Sequence, residues 1–168
     1  MGGTLVGDER NTGAGRDVGR GMTLEGEYEP SPEKWVRDQV ATYEATGGRE
    51  ANTLPDHPDW PIVVITSRGA RSGRLRKNPV MRVEHEGAYA AVASKGGAPE
   101  HPTWFHNFVA HPEVDLQDGP EPHTYRARIV EGEERAAWWE RAAAVYPPYL
   151  EYQERTDREI PVFVLERV

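Results

Sequence analysis

The sequence predicts a mainly antiparallel domain, either an antiparallel barrel with short flanking helices or an α+β domain, and not a doubly wound sheet. Short apolar segments follow one another in hairpin order, single helical segments interrupt them, and no strand–helix–strand unit is repeated. A chain of 168 residues is large enough for one domain with a real core. In a small barrel of this kind we expect the ligand at the mouth.

Composition narrows the chemistry that the domain can support. The chain has no cysteine, so disulfides, thiolate metal sites and dithiol redox chemistry are excluded. If the protein moves electrons, an organic cofactor must carry them. No apolar run approaches the length of a membrane span, and no signal peptide opens the chain. The expected compartment is therefore the cytoplasm, with peripheral membrane contact left open.

The N-terminal part of the chain divides into a tail and the start of the domain. Residues 1–24 are polar, rich in glycine and without a hydrophobic period, which predicts a disordered tail before a single domain at 25–168. Ser31 is expected to cap the first helix, with Pro32 at its first position. Residues 49–61, which contain three prolines, are expected to form a loop.

The central segment places a strongly basic turn after an apolar strand, Ile62–Thr66. Four arginines and one lysine fall between Arg68 and Lys77, with no acidic residue among them. Like charges repel by about 0.5 kcal/mol per pair at 8 Å in water, whereas each charge-assisted hydrogen bond to an anion contributes roughly 1.5–3 kcal/mol. Gly69 and Gly73 also allow backbone amides to point at an anion. The turn is either a phosphate site or a solvated basic hairpin, and the residues alone favour neither.

Two further strands are predicted after the basic turn. Residues 79–84 and 88–93 are separated by an acidic Glu-Gly sequence that is typical of a hairpin turn. Ala91 and Ala93 share one face of the second strand, which either admits a flat group or only allows close packing. If the strands are neighbours, Lys95 lies within reach of a ligand at the basic turn.

The second half of the sequence alternates helices and strands. A short helix begins at Pro102 and Thr103, and aromatic residues at its spacing belong more often to a core than to a cofactor site. Strands are predicted at 114–117, 124–130 and 161–165, and a helix at 132–145. In the strand at 124–130 the inward-facing residues are expected to be Tyr125, Ala127 and Ile129.

Metal ions and nucleic acids are not expected as ligands. His101, His106 and His111 are spaced by five, which places successive side chains on different helix faces, and no zinc motif is present. The protein is acidic, with a formal net charge of -8. Its positive charge is concentrated in one turn, whereas a nucleic-acid groove needs a basic stripe.

Three segments, in this order, resemble the deazaflavin-dependent nitroreductase family of split-barrel proteins: GARSGRLRKNPVMRVEHEG, VASKGGAPEHPTWFHN and YPPYLEYQERTDREIPVFVLE. The resemblance covers roughly Trp35 to the C-terminus and implies a flavin-reductase-like split β-barrel. Family members bind the reduced 8-hydroxy-5-deazaflavin coenzyme F-420 and pass its hydride to quinones, nitro compounds or unsaturated lactones. The alternative cofactor is FMN.

The resemblance also implies which residues form the site. It assigns binding of the coenzyme's phosphate and polyglutamate tail to Ala70, Arg71, Ser72, Arg76 and Lys77. It assigns binding of the rest of the coenzyme to Asn78, Pro79, Val80, Met81, Val92, Ala93, Ser94, Lys95, Thr103, Trp104, Phe105, His106 and Asn107. The residues it assigns to substrate binding are Tyr146, Tyr149 and Tyr152.

Negative charge grows on an acceptor oxygen as hydride arrives, and a hydroxyl donor nearby would stabilise it. Tyr149 is the first expected donor, followed by Tyr152 and Ser94, although tyrosines at a spacing of three also simply pack a helix. The resulting hypothesis is a coenzyme F-420-dependent reductase of quinones, nitro compounds or lactones, as a monomer or homodimer. The alternative is a split-barrel protein that binds a flavin, deazaflavin or haem without catalysis.

Overall fold

The computed structural model describes residues 24–168. The expected disordered tail at 1–24 lies outside the described residues except for Leu24, whose backbone N–H donates to Asp115 Oδ2 (3.4 Å). The helices are α1 (Lys34–Thr46), α2 (Thr103–Ala110), α3 (Gly132–Val145) and α4 (Pro148–Glu154), and Lys95–Gly97 forms a 3-10 turn. The strands are β1 (Thr53–Leu54), β2 (His57–Arg68), β3 (Leu75–Met81), β4 (Val83–His85), β5 (Ala88–Val92), β6 (Glu113–Gln117), β7 (Pro122–Ile129) and β8 (Val162–Arg167).

The strands form one antiparallel sheet that curls back on itself. Its order is β3-β2-β6-β7-β8-β5-β4, and β1 pairs with the beginning of β2. The chain from Leu75 to His85 bends at Arg82, so that its first half (β3) pairs with β2 and its second half (β4) pairs with β5. This bent segment brings the two sides of the sheet together. The predicted split β-barrel with short flanking helices is confirmed.

The core consists of two apolar clusters on opposite faces of the central strands. In β2, Ile62 and Val64 belong to the cluster that packs under α1, α3 and α4, whereas Val63 and Ile65 belong to the cluster that also contains Phe108 of α2. Strands β5 and β8 alternate between the clusters in the same way. Burial on both faces explains why these strands have continuous apolar runs.

The prediction of a loop at residues 49–61 is wrong over most of that range. Thr53–Leu54 and the first part of β2 form a hairpin, in which Thr53 pairs with Pro61. The turn contains Asp56 with a φ of 65°, the left-handed conformation that the third residue of a type II turn requires. Prolines are tolerated here because β1 is only two residues long and leaves most of this strand edge unpaired.

The basic turn is shorter than predicted, because β3 begins at Leu75 and not at residue 79. Its pairing with β2 extends from Arg68↔Leu75 to Ile62↔Met81, so three of the five basic residues belong to strands. Charged side chains are accommodated because β3 pairs with a strand of the sheet on one side only. The other side carries an isolated parallel bridge to Tyr28.

Two smaller expectations are also wrong. Helix α1 begins at Lys34, because Ser31 Oγ accepts the Glu33 N–H (3.1 Å) ahead of the helix and caps no helical amide. Ile129 is 43% exposed, because the alternation breaks at the end of β7 and Val130 takes the buried position. In contrast, α3 has its predicted bounds, and Glu86–Gly87 form the predicted hairpin turn with φ values of 54° and 85°.

Candidate active site

A continuous cleft lies between the basic turn and α4. It consists of three adjoining cavities of about 540, 500 and 430 Å³. The first two share the lining residues Arg76, Thr103 and Asn107, and the last two share Trp35, Pro79, Lys95, Pro102 and Trp104. We call the first cavity, lined by Ala70, Arg71, Ser72 and Arg76, the anion end. We call the last, lined by Tyr146, Tyr149 and Tyr152, the tyrosine end.

The turn at the anion end is closed by its own hydrogen bonds. The Gly69 N–H donates to Arg74 O (2.7 Å), and the Gly73 N–H donates to Gly69 O (3.1 Å). Ser72 Oγ accepts the Arg74 N–H (3.1 Å). A Cβ at Gly69 would lie only 2.8 Å from Ser72 Oγ, so this glycine permits the close approach. The conformation of the turn is thus set by the protein itself.

Several hydrogen-bond donors of this turn are free to meet a ligand. Within residues 24–168, the Arg71 guanidinium and the backbone N–H groups of Arg71 and Ser72 have no hydrogen-bond or ion-pair partner. The Ala70 N–H is held by Oδ1 of the buried Asn107 (2.8 Å), which itself lines the cavity. Free amides beside two arginines are the donor set that a phosphate or carboxylate group satisfies.

Glu29, an acidic residue that was not among the predicted site residues, also lines the anion end. Its segment runs along the free edge of β3, where the Glu29 N–H donates to Leu75 O (2.9 Å). Its carboxylate lies 3.7 Å from Arg76 and 3.8 Å from Arg74. Both distances exceed hydrogen-bond length, so an incoming anion can replace these contacts. The alternating acidic residues before α1 were the sequence signal for a segment that pairs with a basic strand.

Lys77 is the one predicted tail-binding residue that does not line the described cavities of the cleft. Its Nζ lies 2.6 Å from Glu44 of α1 and 4.9 Å from the centre of the Tyr28 ring. Successive side chains of a strand point to opposite faces. Arg76 therefore faces the cleft, and Lys77 faces α1.

The middle of the cleft is formed by α2 and β3. Thr103 and Asn107 are one helical turn apart and face the cavity beside Asn78 and Pro79. Trp104 joins them and packs against Phe108, with ring centres 4.8 Å apart. The predicted residues Val80, Met81, Val92, Ser94 and Lys95 line the tyrosine end, and His106 lines the anion end.

Two predicted residues stand behind the cleft. Phe105 stacks on His101 with ring centres 4.0 Å apart and meets Phe163 edge-on. Ala93 is fully buried, and its N–H donates to Pro161 O (2.9 Å). Neither lines the described cavities. The aromatic helix residues thus divide between core and cleft.

The tyrosine end is a packed aromatic cluster. The hydroxyls of Tyr146 and Tyr152 are hydrogen-bonded to each other (2.8 Å), and the Tyr146 and Tyr149 rings meet edge-on at 4.8 Å. Tyr149 is buried, and its hydroxyl has no hydrogen-bond partner in the described chain. Burial raises the pKa of Tyr149, and burial together with the Tyr152 hydrogen bond raises the pKa of Tyr146. Both hydroxyls are therefore protonated at neutral pH and can donate.

Five further residues that line the tyrosine end were not among the predicted site residues. They are Trp35, Leu54, Ile62, Gly96 and Pro102. Trp35 is 50% exposed, because Val36 takes the buried place beside Val40 in α1. A tryptophan left outside the apolar stripe of a helix is a signal for a binding surface. Leu54 escaped because its strand was taken for a loop.

Neither a metal-binding cluster nor a membrane-spanning helix is present among the described residues. Among residues 24–168, no three histidine or acidic side chains are grouped closely enough to hold a metal ion. His101 instead accepts a hydrogen bond from Arg158 (3.0 Å). None of the helices in the same range has the length and apolar character to span a bilayer.

The fold and the cleft define a split-barrel domain whose elongated cleft joins a basic turn to an aromatic pocket. The family model described as "F420H(2)-dependent quinone reductase" matches residues 35–167. The chain belongs to this family.

Individual relatives agree with this family. A Mycobacterium tuberculosis protein with the same name is 35% identical over 135 residues, which cover 79% of this chain and 89% of the relative. A solved structure titled as an F-420-dependent reductase is 55% identical, with a TM-score of 0.60, and covers 63% of this chain and 94% of its own. A solved chain described as a domain-swapped dimer is 48% identical, with a TM-score of 0.63, and covers 81% of this chain and 100% of its own. The expectation of a coenzyme F-420-dependent reductase is confirmed, and nothing in these matches supports FMN.

Proposed function

We propose that this protein reduces a quinone with a hydride from reduced coenzyme F-420. The observation that carries the proposal is the continuous cleft, in which free cationic donors and hydroxyl-bearing aromatic residues lie at opposite ends. Family membership and the names of the relatives support the same reaction.

The residues of the cleft fit this coenzyme. Its phosphodiester and tail carboxylates require several donors, and the anion end offers Arg71, Arg76 and free backbone amides. Its flat ring requires apolar and aromatic walls, which Pro79, Met81, Val92 and Trp104 provide. We assign the tail to the anion end and the ring to the junction between the middle and the tyrosine end.

When bound, the reduced coenzyme supplies a hydride, which is two electrons and one proton. A quinone that accepts this hydride and one further proton becomes a hydroquinone, and the coenzyme is oxidised. The protein has to hold the acceptor over the ring and stabilise negative charge on the acceptor oxygen. Tyr149, Tyr152 and Ser94 are the hydroxyl donors of the tyrosine end, and we assign this role to them. Tyr146 orients Tyr152 through their shared hydrogen bond.

The test is a titration with oxidised coenzyme F-420, with FMN in parallel, followed by steady-state turnover of the reduced coenzyme with a soluble quinone. A nitroaromatic compound and an unsaturated lactone serve as further acceptors, because the same hydride transfer reduces them. We expect tight binding of coenzyme F-420, weak binding of FMN, and turnover with the quinone.

The matched comparison uses Arg71→Ala and Arg126→Ala. Both substitutions remove one exposed arginine. Arg126, however, lies on β7, pairs with Glu113 and lines none of the described cavities of the cleft. Only Arg71→Ala should weaken coenzyme binding. Tight binding without turnover of any acceptor would instead favour a non-catalytic binding protein. Binding of FMN alone would overturn the cofactor assignment.

We also propose that the protein forms a homodimer, which the related chain described as a domain-swapped dimer supports. Light scattering coupled to size-exclusion chromatography measures the mass directly. A mass of one chain across the micromolar range would show a monomer.

A further inference from the structure

Arg158 lies between α4 and β8 and binds the segment that connects β5 to α2. Its Nε donates to Ala98 O (2.9 Å), and its two terminal nitrogens donate to Ser94 O (2.8 Å) and Ala93 O (3.2 Å). One terminal nitrogen also lies 3.0 Å from His101 Nδ1. A single guanidinium thus joins four groups within one segment of the chain.

This segment forms a wall of the tyrosine end through Ser94, Lys95 and Gly96. Its backbone is unusual, because Lys95, Gly96 and Gly97 have consecutive positive φ values of 46°, 63° and 83°. A left-handed conformation at a residue other than glycine persists only where the surroundings impose it. The planar guanidinium of Arg158 donates hydrogen bonds to backbone carbonyl oxygens on both sides of this turn.

The same turn lies directly against α4, which carries Tyr149 and Tyr152. A Cβ at Gly97 would lie 2.6 Å from Tyr152 O, so the two backbones are in close contact. The Arg155 guanidinium adds a hydrogen bond to Gly96 O (3.2 Å). The turn at residues 94–97 and helix α4 are therefore packed as one unit, and Arg158 binds the turn on the side away from the cleft.

We propose that Arg158 is a positioning residue for the hydride transfer. This proposal rests on the proposed function. It fixes the Ser94 hydroxyl relative to those of Tyr149 and Tyr152, and so sets where the acceptor oxygen lies above the coenzyme ring. Lysine cannot replace it, because an ammonium is a point donor and cannot span carbonyls arranged around a planar fork. Arg158 itself does not line the described cavities of the cleft.

The test compares Arg158→Lys with Arg141→Lys in the full chain. Arg141 lies on α3 and stacks on Trp138, so its variant is a control for the loss of one guanidinium. We expect Arg158→Lys to lower kcat about tenfold or more, because small misplacements of reacting groups have effects of this size. The affinity for coenzyme F-420 should stay within about twofold, because the anion end belongs to other elements.

A kinetic isotope effect separates positioning from a loss of folded protein. With deuterium at the transferred position of the coenzyme, the isotope effect on kcat should rise in Arg158→Lys, because hydride transfer becomes more strongly rate-limiting. A smaller folded fraction would lower kcat without changing the isotope effect. An unchanged kcat, or a lower kcat with an unchanged isotope effect, would overturn the proposal while the proposed function stands.

A second measurement does not depend on the coenzyme. The N–H groups of Gly97 and Ala98 donate to Ser94 O and Lys95 O within the turn. In the unliganded protein we expect Arg158→Lys to raise their hydrogen-exchange rates about tenfold, with Gly69 and Gly73 of the basic turn unchanged. Equal rates in wild type and variant would overturn the proposal, as would an equal increase at both turns. If the wild type lacks activity, this result still decides the role of Arg158 in holding the turn.

Discussion

At the anion end of the cleft Arg71 is exposed and Arg76 is loosely paired, whereas at the tyrosine end Tyr146 and Tyr149 are buried and packed on each other. Arg71 has no partner among the described residues, and Arg76 has only the 3.7 Å contact to Glu29. Tyr146, Tyr149 and Tyr152 contact each other in a cluster held together by ring contacts and one hydrogen bond. The first arrangement suits binding by charge, and the second suits precise placement.

From this difference we expect the two ends to contribute to different steps of the reaction. Charge-assisted hydrogen bonds to an exposed anion give affinity that weakens as salt increases. A buried hydroxyl in a fixed aromatic cluster adds little to the binding of the tail but decides the geometry of the reacting atoms. Substitutions at one end should therefore change affinity, and those at the other should change turnover.

The strongest test of this division removes both cleft arginines with Arg71→Ala and Arg76→Ala together. We expect the Kd for coenzyme F-420 to rise about 100-fold or more at low salt, because each charge-assisted hydrogen bond contributes roughly 1.5–3 kcal/mol. Isothermal titration at two salt concentrations measures this, and the salt dependence should also become shallower. The double variant Arg126→Ala with Arg141→Ala controls for net charge. Equal weakening in both pairs would refute a local anion site.

Tyr149→Phe tests the other end. We expect kcat with a quinone to fall about tenfold while the Kd of the coenzyme stays within about twofold, because the ring packing is kept and only the hydroxyl donor is lost. Steady-state kinetics and a parallel titration measure both values. An unchanged kcat would remove Tyr149 from the mechanism and leave Tyr152 and Ser94 as the donors.

Asn107→Ala probes the link between α2 and the basic turn. The buried amide oxygen of Asn107 holds the Ala70 N–H, and an unpaired group of this kind costs about 1–3 kcal/mol. We expect the coenzyme Kd to rise about tenfold with little change in kcat at saturation. A fall in kcat as large as that in Tyr149→Phe would show that the two ends are not independent.

Lys77→Ala should leave the cleft unchanged although it removes a cation from the same strand as Arg76. We expect the coenzyme Kd to change less than about twofold, and the free energy of unfolding to fall by about 1 kcal/mol because Glu44 loses a half-buried partner. Denaturant unfolding measures the second effect. A loss of affinity comparable with that of Arg71→Ala would place Lys77 at the ligand.

The smallest expected effect concerns pH. Burial and the neighbouring Arg158 hold the pKa of His101 below its usual value. The unfolded chain therefore takes up this proton first, so His101 makes the folded state less stable as pH falls below about 6.5. His101→Gln should flatten the decrease in unfolding free energy between about pH 7 and 5. Identical pH profiles for wild type and variant would show that His101 is not perturbed.

The fold was predictable because periodicity and turn chemistry agreed along most of the chain. The apolar run of β2, the Glu86–Gly87 turn and the bounds of α3 are local signals, and each leads to the observed element. The hairpin at Thr53 was not predictable from its prolines, because their tolerance depends on β1 leaving the rest of that strand edge unpaired.

The site was predictable only in part, because a motif fixes residues along the chain but not their directions in space. Lys77 belongs to the basic motif, yet the alternation of β3 turns it towards α1. Glu29 and Trp35 line the cleft, yet they lie outside the motifs that carry the resemblance. The position of Glu29 depends on how the segment before α1 runs along the edge of β3, and that of Trp35 depends on how α1 packs on the sheet. Both are tertiary contacts.

The pairing of β8 has a consequence for synthesis of the chain. This strand comprises Val162–Arg167, pairs with both β5 and β7, and supplies alternate residues to both apolar clusters. While these residues are still inside the ribosomal tunnel, Tyr89 has no Leu165 to pair with and the barrel stays open. Neither cluster can therefore be completed until these residues have left the tunnel, and until then the apolar strand edges are exposed to chaperones and to other nascent chains.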